Sequence, residues 1–504
     1  MVLIDKKPLI GLVGVIVATM SAELNGLVFG IALPDIRGDN GLDSVAGAWL
    51  TSLYTTGEII GMAVATWWAI TLSLRRFTLL VIALACATSL AMALAGDVGL
   101  LLPLRFVQGL ASGLTIPLLM TTALRVLPPP IRLYGLAAYA STATFFPYLS
   151  ATIAAFWTEG AGWKFILYET APLAAVSAVL VWYGLPQDVP QHQRIRTFDL
   201  RGALLLIMGC GALSTLLMQG ERLDWFHSKL IAVLALVSVV AIPLFLLNEW
   251  FKDVPFLKLQ LLGRRNFAYG AICLFLFLII GLSASETPLA FLQDTQGYRP
   301  LQANIITLQI AALQLFMLPA MALVLNVAWV DARWVSLVGL SLILAACLGD
   351  SQLSAVWSRD QFYLWQALQA VGQPMVVVPL LMISTNAVEP SEGPFAAAMI
   401  NVPRALAEAV GAGLLTLIGR FRGNHHMSRL ADRLGEAGVN AVGSAHRTPA
   451  DLAASVGQQA RVLTFGDAFL ILAVLAVVLI AIVLVLPVHS PPPRLALAKS
   501  PGAP

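Results

Sequence analysis

Fourteen apolar stretches occupy nearly all of this 504-residue chain, and only a handful of ionisable residues interrupt them. Hydrophobic residues make up 59% and charged residues 11% of the sequence, with a mean hydropathy of +0.83. No soluble architecture hides that much apolar surface from water, so the bilayer is the expected solvent. In hydrocarbon every backbone N–H and C=O needs an internal partner, and spanning segments of about 20 residues therefore read as α-helices. The expected spans lie near 8–33, 46–70, 76–95, 98–121, 133–157, 164–185, 202–219, 229–251, 267–291, 304–326, 334–349, 358–385, 394–419 and 463–487.

An even number of spans puts both termini on one side, and Lys and Arg decide which, because short cytoplasmic loops hold an excess of them. Sixteen Lys and Arg fall on the side of the termini, among them the pairs Arg75-Arg76 and Arg264-Arg265. The short loops opposite hold six: Arg37, Lys164, Arg222, Lys229, Arg299 and Arg359. Both termini are therefore expected in the cytoplasm of a multi-pass inner-membrane protein. The net charge of +3 is this topological signal and carries no hint of nucleic-acid binding. Cys86, Cys210, Cys273 and Cys347 all fall inside expected helices, where Cys behaves as a small packing residue. The first apolar run, at about 26 residues, is too long for a cleaved signal and is expected to stay as the first helix.

The chain parses as six, two and six helices. Residues 1–186 form an expected N-terminal six-helix bundle, 187–262 a linker with two extra helices, and 263–504 a C-terminal six-helix bundle. Arg105-Phe106-Val107-Gln108-Gly109 with Pro117-Leu118 is faintly echoed by Gln366-Ala367-Leu368-Gln369-Ala370 with Pro379-Leu380, which suggests a repeated bundle. One loop is long. Within 420–462, Met427, Leu430, Ala431 and Leu434 recur at helical spacing, and Thr448-Pro449-Ala450-Asp451 is a helix start signal, so two short outer helices are expected. They read equally as solvated extensions or as a docking surface. The tail 488–504 is rich in Pro and expected to be disordered.

An ionised side chain at mid-bilayer costs about 2.5–3.5 kcal/mol even on the lenient scale, so each one is a functional candidate by default. Glu23, Glu58, Arg105, Glu286, Arg404 and Glu408 are these candidates. Glu23, Glu58 and Arg105 lie about 15, 18 and 10 Å below the outer ends of their helices, so they can meet at one depth. A carboxyl beside an arginine in an apolar cavity feels two opposed effects and can titrate near neutrality, which is what proton-coupled transport needs. A proton moving down 100 mV releases about 2.3 kcal/mol, enough for a roughly 50-fold substrate gradient.

Each candidate also has a plain structural reading. Glu58 can be one half of a static ion pair, and Glu23 can belong to a polar seam with Ser21 and Asn25. Arg404 and Glu408, four apart, can simply pair with each other. Glu169 and Glu249 lie near helix ends, where long side chains reach the interface. All six histidines sit in loops or the tail, which disfavours an intramembrane metal site, and no phosphate-binding Gly-rich loop followed by Lys and Ser/Thr appears. No cofactor is expected, and a proton gradient is the expected energy source.

The six-two-six parse, with Arg105-Phe106-Val107-Gln108-Gly109 in the fourth helix, resembles the fourteen-helix drug:proton antiporter family of the major facilitator superfamily, and within it the EmrB-type branch. Ala32-Leu33-Pro34, Trp49, Tyr54 and Glu58 are similar to that branch's pattern across the first two helices. Further along, Gly162-Trp163-Lys164 with Pro172, Leu223-Asp224-Trp225-Phe226, Asn401-Val402-Pro403-Arg404, His425-His426 and Asp467-Ala468-Phe469 follow in the branch's order. The chain departs from the pattern at Asn25, where the family has Asp, at Thr71-Leu72-Ser73-Leu74, and at Ser150-Ala151, where the family's fifth helix has glycines.

The resemblance implies an all-α major facilitator fold that exports hydrophobic or amphipathic toxic compounds against proton entry. It also implies a periplasmic EmrA-like adaptor and an outer-membrane channel as partners. Under it, Glu58, Glu23 and Arg105 would couple protons, and Asn25, Gln108, Phe145, Phe146, Tyr148, Glu286, Arg404 and Glu408 would line the cavity or touch substrate. Two rivals stay open: a dedicated exporter of one endogenous metabolite or siderophore, and a receptor or scaffold that moves nothing.

Overall fold

A computed structural model describes residues 7–485 apart from 129–130, 253, 390–391 and 438–448. The first half contains α1 (Lys7–Ile31), α2 (Leu33–Asp39), α3 (Ser44–Leu72), α4 (Leu74–Leu94), α5 (Val98–Arg125), α6 (Arg132–Ala140), α7 (Phe145–Gly160) and α8 (Lys164–Gly184). Two helices follow, α9 (Leu200–Gln219) and α10 (Lys229–Trp250). The second half contains α11 (Arg265–Gly281), α12 (Glu286–Asp294), α13 (Pro300–Leu325), α14 (Ala332–Asp350), α15 (Phe362–Asn386), α16 (Gly393–Ala437) and α17 (Pro449–Val485). No strand occurs among the described residues.

Twelve helical segments of the described residues are long and apolar enough to cross a bilayer. They leave out α3, which is rich in Gly and Thr and carries Glu58, and the broken pair α6–α7. Both occupy places where the sequence predicts a span. The short expected span at 334–349 corresponds to α14, a residue or two longer at each end.

Two of the expected spans are each split in two. Pro147 stands in the first turn of α7 and Pro288 in the first turn of α12. Each lacks an N–H and crowds the carbonyl four residues back, Ala143 and Ala284, so the helix opens just before it. In both breaks the chain rejoins through a bond five residues long: Phe146 N–H to the Ser141 carbonyl (2.8 Å) and Thr287 N–H to the Leu282 carbonyl (3.0 Å). One consequence is that the Thr142 carbonyl loses the N–H of residue 146 as its partner.

Helices α3 and α5 cross with their backbones in contact. Gly57 and Gly61 on α3 face Gly109 and Gly113 on α5, two small-xxx-small patterns laid against each other. A Cβ at Gly109 would sit 2.1 Å from the Tyr54 carbonyl oxygen, and one at Gly113 would sit 2.1 Å from that of Glu58. This crossing fixes the depth of Glu58 against Arg105. The extra hairpin α9–α10 is tied to α3 by hydrogen bonds from Thr56 to Ser214 (3.3 Å) and from Gln219 to Ser52 (2.7 Å).

The described residues of segment 420–462 take the extension reading rather than forming two short helices of their own. Helix α16 runs 45 residues without a break, about 67 Å, and α17 runs 37 residues. They leave the membrane region as an antiparallel hairpin. Its base is clamped by charge: Arg420 bonds Asp224 (2.7 Å), Arg422 bonds Asp467 (2.6 Å), and His426 Nε2 lies 2.5 Å from the same Asp467 carboxylate. The predicted start at Pro449 holds, while Thr448, His446 and the tail 488–504 lie outside the described residues.

Glu249 also departs from expectation. Instead of reaching the interface it is fully buried, and its Oε2 accepts from the Leu257 N–H (3.0 Å). The chain leaving α10 turns back over it, so the carboxylate caps a loop.

Candidate functional site

A cavity of about 540 Å³ lies between the two halves, reached by α1, α7, α11, α12 and α16. Its lining runs from Glu23 and Arg404 at one level to Ile31 and Asp294, at the α1 and α12 ends remote from the N-terminus. Most of the wall is apolar. Gln293 and Asp294 stand at one end, and Glu23, Arg404 and Glu408 gather at the other, with Glu286, Tyr148 and Gln373 nearby. Apolar walls with few convergent polar groups are the general form of a small-molecule site.

Arg404, on α16, is 2% exposed and sits at the centre of this end. Its Nη2 donates to Glu23 Oε1 on α1 (2.8 Å) and to the Thr142 carbonyl (2.7 Å), and its Nη1 donates to Thr142 Oγ1 (2.5 Å). Its Nε donates to Glu408 Oε1 at a looser 3.4 Å. The carbonyl that the Pro147 break sets free is thus the one the arginine takes. The network joins α1 and the α6–α7 break in the first half to α16 in the second. Tyr139 adds a further link, donating to Asn401 Oδ1 (2.9 Å), as does Thr66, donating to the Pro394 carbonyl (2.8 Å).

Glu58 lies just behind this wall, 8% exposed, on the α3–α5 crossing. Among the described residues it makes no ion pair. Glu408, Glu23, Arg404 and Arg105 all lie within electrostatic reach of it. The group therefore comprises three carboxylates and two guanidiniums in a largely apolar setting, where charge interactions are strong.

Arg105 behaves differently from the expectation that it pairs with Glu23 or Glu58. Its guanidinium is held by the carbonyls of Asn25 (2.9 Å) and Gly26 (3.0 Å) and by Gln108 Oε1 (2.6 Å). It is sandwiched between the rings of Phe29 and Tyr54, each 4.0 Å from its centre. Aromatic faces stabilise a desolvated cation, and with Asn rather than Asp at position 25 they stand in for a carboxylate. Asn25 and Gln108 turn inward to the same network, bonding Ser89 and Thr170 rather than facing the cavity. Arg105 therefore staples α1 to α5.

The local Arg404–Glu408 pairing is present but secondary, and the shorter bond goes to Glu23. Glu286, released by the α11–α12 break, is exposed to the cavity. Of the three aromatics of α7, Tyr148 lines the wall, and its hydroxyl accepts from Gln373 (2.7 Å). The rings of Phe145 and Phe146 lie 5.7 Å apart and tilted; Phe146 is buried, Phe145 packs partly buried against the core, and neither lines the cavity. Sequence reasoning missed Thr142, Gln373 and Pro288. Prolines inside apolar runs are the signal that would have found the two breaks.

The sequence profile of the Major Facilitator Superfamily matches residues 13–412. The chain is 25% identical over 435 residues to the multidrug export protein EmrB of Escherichia coli (strain K12), covering 84% of this chain and 82% of that protein. It is 27% identical over 413 residues to the probable multidrug resistance protein EmrY of the same strain, covering 81% and 80%. To the fatty acid resistance protein FarB of Neisseria gonorrhoeae it is 24% identical over 427 residues, covering 83% and 82%. Among solved structures, the proton:xylose symporter XylE aligns over 98% of this chain and 99% of its own, with a TM-score of 0.58 and 11% identity. The human organic anion transporter MFSD10 aligns over 94% and 99%, with a TM-score of 0.54 and 14% identity. An all-helical fold built of two halves around a central cavity, matched over most of its length by this profile, makes the chain a member of the major facilitator superfamily, in its EmrB-type branch.

Proposed function

We propose that this protein is a proton-driven exporter of hydrophobic and amphipathic toxic compounds in a bacterial inner membrane, with fourteen spans and both termini cytoplasmic. The observation that carries this reading is the Glu23–Arg404 bond, a buried charge pair that ties one half to the other at the floor of the cavity. Helices α1–α8 and α11–α17 act as two bundles that rock about that floor, alternating access to it.

Charge balance supports proton coupling. Of the charges around Glu58, three acids (Glu23, Glu58 and Glu408) outnumber Arg404 and Arg105 by one, so a single proton held among these three neutralises that group, while Glu286, which Glu408 also reaches, faces the open cavity. We assign that proton to Glu58, to which no side chain donates a hydrogen bond among the described residues. An amphipathic molecule bearing positive charge, entering beside Glu23 and Glu408, takes over the proton's electrostatic role and expels it. The surplus of acids in the cavity favours lipophilic cations over lipophilic anions. Helix α16 continues about 26 Å past Arg420 alongside α17, which suits a periplasmic adaptor of the EmrA type and, through it, an outer-membrane channel.

The test is efflux from proteoliposomes across a panel of structurally unrelated hydrophobic toxicants, with and without a proton gradient. Gradient-dependent efflux of several compounds that compete with one another supports the reading. Competition confined to one metabolite shows a dedicated exporter, and no transport of any compound leaves a receptor or scaffold.

A further inference from the structure

A second buried acid plays no part in the site above. Asp350, the last residue of α14, is 0% exposed, and its Oδ1 has no hydrogen-bond partner among the described residues. Its Oδ2 accepts from Gln366 Nε2 on α15 (3.3 Å). One turn deeper, Gln369 Nε2 donates to Ser283 Oγ (2.7 Å) and lies 3.9 Å from Cys347 Sγ. Gln366, Gln369, Ser283 and Cys347 are each 0% exposed as well.

The register of α12 against α15 completes the group. Ser283, in the break before α12, meets Gln369, and Phe291 of α12 meets Phe362 at 5.8 Å between rings, so Thr287 lies in the stretch between these two contacts. Thr287 Oγ1, Gln366 Oε1 and Gln369 Oε1 are all buried without partners. The atoms left over are oxygens, though each amide nitrogen has a second N–H and Thr287 a hydroxyl hydrogen. Buried polar groups in native proteins are nearly always satisfied, and the Asp350 carboxylate, which when ionised can only accept, is the group whose protonation adds a donor here.

No positive charge supplies it. Among the described residues Asp350 forms no ion pair, and the charged groups of the neighbouring elements point elsewhere. Arg359 approaches Asp360 at the surface, Asp467 of α17 pairs with Arg422 and His426, and Glu286 and Asp294 of α12 face the cavity. An isolated carboxylate in so dry a place is costly, whereas a carboxylic acid is neutral and brings one new O–H donor.

We propose that Asp350 is a second proton-binding site, in the C-terminal half, holding its proton beside Gln366 and served from the cavity. Gln369 and Ser283 lead from it to the α11–α12 break, where Leu282 and Ser285 line the cavity wall. This rests on the proton-coupled reading for its role in transport, though not for its occupancy. With one proton carried at Glu58 and one here, each substrate molecule is exchanged for two.

The test is infrared spectroscopy of the full-length protein in lipid, comparing wild type with the isosteric Asp350→Asn variant, with thermal unfolding as the check on folding. The expected result is a protonated-carboxyl band that persists at neutral pH, exchanges in heavy water and disappears in Asp350→Asn while surviving in Glu58→Gln. Identical spectra in wild type and Asp350→Asn, or loss of the band when sodium is added at constant pH, overturn the proposal. In proteoliposomes the proton-to-substrate ratio from the reversal potential should fall from two to one in Asp350→Asn, and an unchanged ratio also overturns it. If wild type moves no protons at all, the proton-coupled reading has failed, and the infrared band still decides Asp350.

Discussion

Replacing Glu23 with Gln removes the shorter of the two charge partners of Arg404 without changing the shape of the cavity floor. Arg404 keeps the Thr142 carbonyl, the Thr142 hydroxyl and the looser Glu408 carboxylate, and the Gln Oε1 can still accept, so at most the charge-assisted strength of one hydrogen bond is lost rather than a buried charge abandoned. Such a bond contributes about 1.5–3 kcal/mol, below the roughly 3–5 kcal/mol of a fully broken buried pair. Because it joins α1 to α16, it stabilises this arrangement of the halves against any other, and its full loss shifts their ratio about 10- to 150-fold. Spin labels on the ends of α1 and α12 that flank the cavity mouth would read this as a redistribution of distances. A Glu23/Arg404 double-mutant cycle on the same readout should return a coupling of similar size. Unchanged distance distributions in Glu23→Gln, with the protein folded, would refute the idea that this pair holds the two halves together.

Other outcomes follow from the same geometry. Gly113→Val places side-chain carbon where the Glu58 carbonyl lies 2.1 Å from an ideal Cβ, so α3 and α5 must separate; the cost is at least about 1–3 kcal/mol, seen as a lower melting temperature and less monodisperse protein. Gly419→Ala, with nothing within 4 Å of its Cβ, is the control and should be neutral or slightly stabilising. Pro147→Ala lets the α6–α7 helix close and returns the Thr142 carbonyl to the backbone ladder, so transport should drop by tenfold or more while thermal stability holds or rises. At the face bearing the N-terminus, burial works to raise the Glu392 carboxyl, but hydrogen bonds from Lys258 (2.6 Å) and Arg264 (2.6 Å) outweigh it and hold the group below the ordinary carboxylate range. A depressed acid stabilises the fold above its unfolded value, near 4.3, and that stability is lost as pH falls through the lower folded value. Melting temperatures recorded between neutral and acid pH should therefore decline less steeply in Glu392→Gln than in wild type.

The helices were legible because apolar runs in a chain this poor in charge leave few alternatives, and the start of α17 at Pro449 was legible from local helix chemistry. What failed was continuity. Nothing in a helical periodicity says whether 420–437 is a new helix or the end of an old one, and α16 proved to be the latter. Arg404 stood out as a charge in the membrane, and its partner four residues on could be read from helix geometry. Its stronger partner, Glu23, lies 381 residues away, and a single sequence holds no trace of that pairing. Arg105 misled for the opposite reason: an intramembrane arginine invites a carboxylate, whereas the aromatic rings of Phe29 and Tyr54 and two backbone carbonyls meet its needs. The cavity aromatics were half legible, since the residues of α7 were named but the Pro147 break, which turns Tyr148 to the wall and Phe146 to the core, was not.

The central claim is that one proton resides among Glu23, Glu58 and Glu408 and leaves when substrate enters. The most direct measurement is proton release from purified, lightly buffered protein on addition of a lipophilic cation, followed with a pH-indicating dye in wild type and Glu58→Gln. The expected result is about one proton fewer released per bound molecule in Glu58→Gln than in wild type, with substrate affinity retained; any release left in the variant is the share assigned to Asp350. Equal release from both proteins would contradict the assignment of the proton to Glu58, and binding without release from wild type would contradict proton exchange at this site altogether.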